Sequence, residues 1–244
     1  MAGMDIDGTT PLCGAVVSDL HLFTNRTTVH EHMPAIRRAA EECRLFVFNG
    51  DIFDFHWSRH AGFEASAQAA EEWILELVDT YADTQFVFLL GNHDSVPAYR
   101  KVLDSLAAQR PNLEWHAEWY RHGHKLFLHG DIYHGGTTSA MLNAYRARCN
   151  LTLRHSWLGH VCYWAFARSG LPALFLGLVS RKTCARRIRA YLNNELGAEL
   201  HAVKEVFFGH VHTPFADFHH DGLLFHNTGA AVTGMRLNVI RFPL

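Results

Sequence analysis

Five short clusters of aspartate, histidine and asparagine carry the groups that could do chemistry in this chain. They are Ser18-Asp19-Leu20-His21, Gly50-Asp51-Ile52-Phe53-Asp54, Gly91-Asn92-His93-Asp94, His129-Gly130-Asp131 and Gly209-His210-Val211-His212. Carboxylate and amide oxygens mixed with imidazole nitrogens, and no thiolate, form a donor set for Mn²⁺, with Fe, Zn²⁺ and Co²⁺ as alternatives, rather than for Ca²⁺. Asp19 and His21 lie two apart, so at a strand end their side chains leave on one face and can hold one ion together. His210 and His212 repeat that spacing, and each could serve a different ion. Asp51 has two oxygens and can bridge a pair of ions, while Asn92 offers a neutral carbonyl oxygen and His129 an imidazole. Asp54 and Asp94 are placed to orient ligand or catalytic imidazoles by accepting their N–H groups. His93 stands beside the site and could protonate a departing oxygen; its plainer reading is a hydrogen-bonded loop histidine. A single D-x-H arises often by chance. Five such clusters in series, each after an apolar run, do not.

Those apolar runs are the elements that must position the clusters. Gly14–Val17, Leu45–Phe48, Phe86–Leu90, Lys125–Leu128 and Val206–Phe208 have the length and the β-branched or aromatic content of buried strands. In an open α/β sheet the loops leaving the carboxyl ends of strands converge on one crevice, which predicts a single site. Between the clusters, Val29–Cys43 and Glu64–Tyr81 carry apolar residues at helical spacing, and Pro97–Arg110 opens with a proline suited to a first helical turn. Strand, cluster and helix in repetition predict βα units. Beyond His212 the pattern changes to short strands at Phe215–Phe218, Leu223–His226 and Leu237–Phe242, with Asp221-Gly222 as a hairpin turn, so antiparallel strands are expected near the C-terminus.

With 244 residues, 48% of them apolar, the chain can bury a full core. A net charge of −2 argues against a protein that grips nucleic acid over its surface. The five cysteines are widely spaced without a C-x-x-C pair, which predicts reduced thiols in a cytoplasmic setting. No secretory leader pattern is present, and residues 1–11 read as a loosely held lead-in. One segment stands apart. Between Asp131 and Glu195 there is no acidic residue, but nine basic ones: Arg146, Arg148, Arg154, Arg168, Arg181, Lys182, Arg186, Arg187 and Arg189. The same segment holds the apolar stretch Leu158–Val179, and Arg168 and Pro172 interrupt it, which argues against a membrane-spanning helix. Residues 137–195 are therefore expected to be a helical insertion between a catalytic domain made of 1–136 and 196–244. The bland reading is a helix pair with solvated basic faces. The functional one is a lid for an anionic, apolar ligand or an anionic membrane surface.

The series D-x-H, G-D-x-x-D, G-N-H-D, H-G-D and G-H-x-H resembles the calcineurin-like metallophosphoesterase superfamily, from about Gly14 to Gly229 with the insertion set aside. That resemblance implies a four-layer α/β/β/α sandwich with a helical cap and two metal ions, Mn²⁺ first among them. It also implies that Asp19, His21, Asp51 and His212 hold one ion, that Asp51, Asn92, His129 and His210 hold the other, and that His93 is the acid near the leaving group. Two ions stabilise phosphoryl oxygens in an in-line displacement and activate a water. Within the superfamily, Ser18 to Leu22, Leu128 to Asp131 with the insertion directly after it, and Gly209 to Pro214 are most similar to the UDP-2,3-diacylglucosamine pyrophosphatases of lipid A biosynthesis. The implied reaction cleaves the pyrophosphate of a nucleotide-linked glycolipid into UMP and a lipid monophosphate, at the inner face of the cytoplasmic membrane. The best-known branch has arginine where this chain has His93. A soluble-nucleotide phosphodiesterase or pyrophosphatase is the alternative enzyme. A metal-free scaffold is the third reading, and the filled ligand positions disfavour it.

Overall fold

The computed structural model describes residues 12–151 and 180–244. The first sheet is built from β1 (Cys13–Val17), β2 (Leu45–Asn49), β3 (Gln85–Leu89) and β4 (Leu113–His116), all parallel, with β10 (Ile240–Pro243) antiparallel along β1. The second has the order β5 (Trp119–His122), β6 (Lys125–Leu128), β7 (Glu205–Phe208), β9 (Leu223–Asn227), β8 (Phe215–His220). In it β6, β7 and β9 run parallel, and the edge strands are antiparallel to their neighbours. The β8–β9 turn is Asp221-Gly222, both with positive φ, the backbone that a tight hairpin needs.

Alternation along the strands separates three apolar layers. Val16, Val47, Val87, Leu89, Phe127, Phe207 and Phe242 pack between the sheets, with the Phe127 and Phe207 rings stacked at 4.9 Å. The opposite face of the first sheet, including Phe46, Phe48, Phe86 and Phe88, buries against α1 (Val29–Glu42), α2 (Phe63–Thr80) and α3 (Pro97–Gln109). Leu126, Leu128, Val206, Phe208 and Phe225 of the second sheet bury against α4 (Ile132–Gly135), α5 (Ser139–Asn150) and α6 (Arg181–Leu196). The result is the α/β/β/α sandwich expected. The five cluster-bearing strands, however, do not share one open sheet. Three belong to the first sheet and two to the second, and the site lies where the carboxyl ends of both sheets meet. All five runs are fully buried, so periodicity could not assign them to different sheets.

One further expectation changes. Cys13 opens β1 and Cys43 follows α1, and with their Cα atoms 4.8 Å apart they form a disulfide, so these two are not the reduced thiols predicted. Cys149 and Cys184 form no disulfide among the described residues. Within 137–195, α5 and α6 are helical, and Leu142, Cys184, Ala185, Ile188, Tyr191 and Leu192 lie buried in the same core as the second sheet. These helices supply its outer layer. The apolar stretch 158–179 and the lead-in 1–11 lie outside the described residues. No helix among the described residues is long and apolar enough to cross a membrane.

Candidate metal centre

The ligand loops obtain their convergence from backbone torsion rather than from strand alternation. β1 ends at Val17, and Asp19 and His21 lie beyond it with φ of 53° and 46°. Asp51, His210 and His212 share this left-handed conformation, at 52°, 64° and 54°. Aspartate and histidine tolerate it better than most residues, yet it still costs about 1–2 kcal/mol per residue. Backbone hydrogen bonds lock the loops together: Asp19 N–H donates to Gly50 O at 3.0 Å, and His21 N–H to Asp51 O at 3.1 Å. The carboxylates close the remaining gaps. Asp51 Oδ1 accepts the His93 N–H at 2.8 Å, and Asp19 Oδ2 accepts the His210 N–H at 2.9 Å and the Ser18 hydroxyl. A Cβ at Gly91 would collide with the Asp51 carboxylate, and one at Gly209 with Asp19 and Ser18, so glycine at both places permits the close approach.

Two groups of donors result. Asp19, His21 and His212 bring one donor atom each within 4.8 Å of one another, and so do Asp51, His129 and His210. His212 Nε2 is 3.1 Å from Asp19 Oδ1, His21 Nε2 is 3.3 Å from His212 Nε2, and His129 Nε2 is 3.2 Å from Asp51 Oδ2. Asn92 Oδ1 is buried with no hydrogen-bond partner among the described residues. Buried oxygens left unpaired are costly unless a cation takes them, so the residues present fit a pair of divalent ions. Protonation agrees. Burial alone would raise Asp19 and Asp51, but His129 and His212 beside Asp19 bring it to about 2, and His129 and His93 hold Asp51 well below the usual range. Burial, with Arg26, lowers His21 to about 4, and burial, with His129, lowers His210 to about 3, leaving both imidazoles neutral. Asp51 and Asp19 raise His129 to about 10 against its burial, the mark of a place that calls for positive charge.

Asp54 faces two imidazoles and an arginine. Its Oδ1 lies 3.1 Å from His93 Nδ1, and its Oδ2 lies 3.3 Å from His21 Nδ1 and 3.1 Å from Arg26. Although His21, Asp54 and His93 are close enough to suggest a third cation site, Arg26 already occupies that carboxylate. Burial would lower the His93 imidazole, and Asp54 and Asp51 overcome this to raise it to about 9. Asp94 differs from the expectation. Its carboxylate accepts the backbone N–H of Gly91 at 2.7 Å and of Ile52 at 2.9 Å, so it shapes two loops instead of orienting an imidazole. Burial, with Asp51 adding, raises it to about 7.

Three participants were not legible in the sequence. Arg26 reaches Asp54 from the loop before α1. Arg146, counted above among the nine charges of a basic segment, turns inward and is 2% exposed. It pairs with Asp131 through two contacts at 2.7 and 2.9 Å and donates to the carbonyls of Leu90 (2.7 Å) and Ala117. His134 of α4 places its Nδ1 2.7 Å from His210 Nε2. Its place five residues after His129 was the one available signal. A cavity of about 330 Å³ opens over the site, lined by Asp51, Asn92, His93, His134, Tyr145, His210 and His212.

Among solved structures, the chain is similar to a dimetal phosphatase from Danio rerio (12% identity, 91% of this chain and 89% of that one, TM-score 0.46). It is also similar to a purple acid phosphatase from yellow lupin, Lupinus luteus (10% identity, 97% of this chain and 46% of that one, TM-score 0.42). No curated protein sequence matches. A model of the calcineurin-like phosphoesterases matches residues 15–214, a span that contains all five clusters, and the chain belongs to that family of metal-dependent phosphoester hydrolases.

Proposed function

We propose that the chain hydrolyses a phosphoric ester or anhydride with two ions, Mn²⁺ first among the candidates. Asp19, His21, Asp51 and His212 would hold one ion, and Asp51, Asn92, His129 and His210 the other. The observation that carries this reading is the pair of complementary donor groups, Asp19–His21–His212 and Asp51–His129–His210, with Asn92 Oδ1 left unpaired beside them. When bound, the ions supply charge stabilisation at the phosphoryl oxygens and a nucleophilic water at neutral pH. The chain's own part is orientation and proton transfer. Asp54 faces Nδ1 of His93, which leaves Nε2 for a departing oxygen at the cavity wall. Asp94 fixes the backbone that presents Asn92 and His93.

For the substrate we propose a UDP-diacylglucosamine-type glycolipid, cleaved at its pyrophosphate to UMP and a lipid monophosphate at an anionic membrane surface. Its support is the acid-free segment of nine basic residues with an apolar stretch, placed directly after the fourth cluster. A soluble nucleotide is the second reading, and partnered arginines favour it. Arg146 is buried, Arg187 lies 4.5 Å over the Tyr133 ring and donates to Tyr133 O, and Arg189 donates to Asp221 O. Each of these charges already has a structural use. A Mn²⁺ assay comparing UDP-diacylglucosamine with cyclic nucleotides and dinucleotide polyphosphates decides between them. UMP released from the lipid alone upholds the first reading, and turnover confined to soluble nucleotides refutes it.

A further inference from the structure

The metal-facing imidazoles differ in what holds their second nitrogen. His129 Nδ1 lies 3.1 Å from the Asn49 carbonyl oxygen, and His21 Nδ1 lies 3.3 Å from Asp54 Oδ2. Carbonyls and carboxylates are the usual partners in that position. His210 instead has a second imidazole, with Nε2 only 2.7 Å from Nδ1 of His134. Such a contact requires a hydrogen on one nitrogen and a lone pair on the other. We propose that His134 is a positioning residue for His210: its Nδ1 accepts the Nε2–H of His210 and so fixes the tautomer whose Nδ1 lone pair is free for an ion. This inference rests on the two-ion reading above.

The surroundings hold His134 for that task. Its own N–H donates to Asp131 O at 3.0 Å, and the Gly135 N–H joins the same oxygen at 2.8 Å, which places the imidazole one turn after Gly130. The rings of His134 and His210 meet edge to face at 5.0 Å. Tyr133 packs against His134 at 4.8 Å, and Tyr145 of α5 lies nearly parallel to it at 6.4 Å. Through Arg146 on Asp131 and Arg187 on Tyr133, α5 and α6 both brace this turn. The ring of His134 is itself open to the cavity, so its replacement leaves no void in the core.

Metal-free protein titrated with Mn²⁺ in a calorimeter, with bound metal counted by elemental analysis, tests the proposal. The unsubstituted chain should take up two ions. His134→Ala should keep one at full affinity and bind the other roughly 10- to 100-fold more weakly, as loss of such a partner does elsewhere. His134→Gln, whose side-chain carbonyl can accept the same N–H, should recover most of that loss. Thermal melts of the three metal-free proteins should coincide. Two ions on the unsubstituted chain with unchanged affinity in His134→Ala would overturn this proposal alone, as would a glutamine variant as weak as the alanine one. Fewer than two ions on the unsubstituted chain would overturn the two-ion reading and the proposal with it.

Discussion

Arg146→Met isolates the most heavily bonded side chain near the site. In the intact chain its guanidinium satisfies a fully buried carboxylate and two backbone carbonyls, those of Leu90 and Ala117. Methionine keeps most of the volume but leaves Asp131, 1% exposed, without its counter-charge. Removing one partner of a buried pair costs about 3–5 kcal/mol. A chain of ordinary stability, on the order of 5–15 kcal/mol, would lose a large part of its margin. Leu90 directly precedes the Asn92 loop, so that loop should loosen as well. Urea unfolding of the metal-free protein measures the first effect, and the Mn²⁺ dependence of turnover on a chromogenic phosphodiester measures the second. The double variant Arg146→Met with Asp131→Asn should recover stability to within roughly 1–2 kcal/mol of the starting protein, because no uncompensated charge remains. Arg146→Lys should not rescue, since an ammonium cannot reproduce the bidentate fork. A loss below about 1 kcal/mol in the single variant, or a double variant less stable than the single, would refute the view that Arg146 is held here by charge pairing.

Asp51→Ala should abolish turnover and bound metal together, because the proposed pair of ions shares this carboxylate; elemental analysis showing both ions retained would contradict this. His93→Ala should keep its metal while turnover falls about 10²- to 10⁴-fold on esters with poor leaving groups, and less on nitrophenyl esters, which need no protonation. Equal losses on both would reassign His93 to phosphate binding. Replacing Arg186, Arg187 and Arg189 by Glu should weaken anionic liposome binding and lipid hydrolysis more than hydrolysis of a small soluble phosphodiester. Melting should be followed in parallel, since Arg187 and Arg189 also make contacts within the fold.

The site was more legible than the frame around it. Asp19, His21, Asp51, Asn92, His129, His210 and His212 stand out because polar residues of metal-binding type sit directly after buried apolar runs, and all seven come together in the structure. The helices α1, α2 and α3 were readable within one residue at each end, since each buries a stripe against a sheet. β4 and β5 carry no such signal. They are four residues each, and Glu114, Trp115, Arg121 and His122 are only partly buried or exposed, so neither shows a continuous apolar run. The inward turn of Arg146 was hidden because charge in a sequence carries no direction, and its partner Asp131 lies fifteen residues away. Asp94 adjoins His93 in the sequence, whereas the backbone donors it serves belong to two separate loops.

The left-handed torsions at Asp19, His21, Asp51, His210 and His212 have a consequence for how such a centre can be lost or gained. At each of these positions glycine would relax the main chain while discarding a donor, so local comfort and metal capture pull in opposite directions. An inactive descendant of this chain is thus expected to drift toward glycine or asparagine at the part-exposed His210 and His212, and to melt at higher temperature than its parent once chelator has stripped both, whereas Asp19, His21 and Asp51 are buried and hydrogen-bonded, so their loss outweighs the relief. Asn92 and His129, which lie outside that torsional class, give no such reward, and their replacement would leave only the deficit.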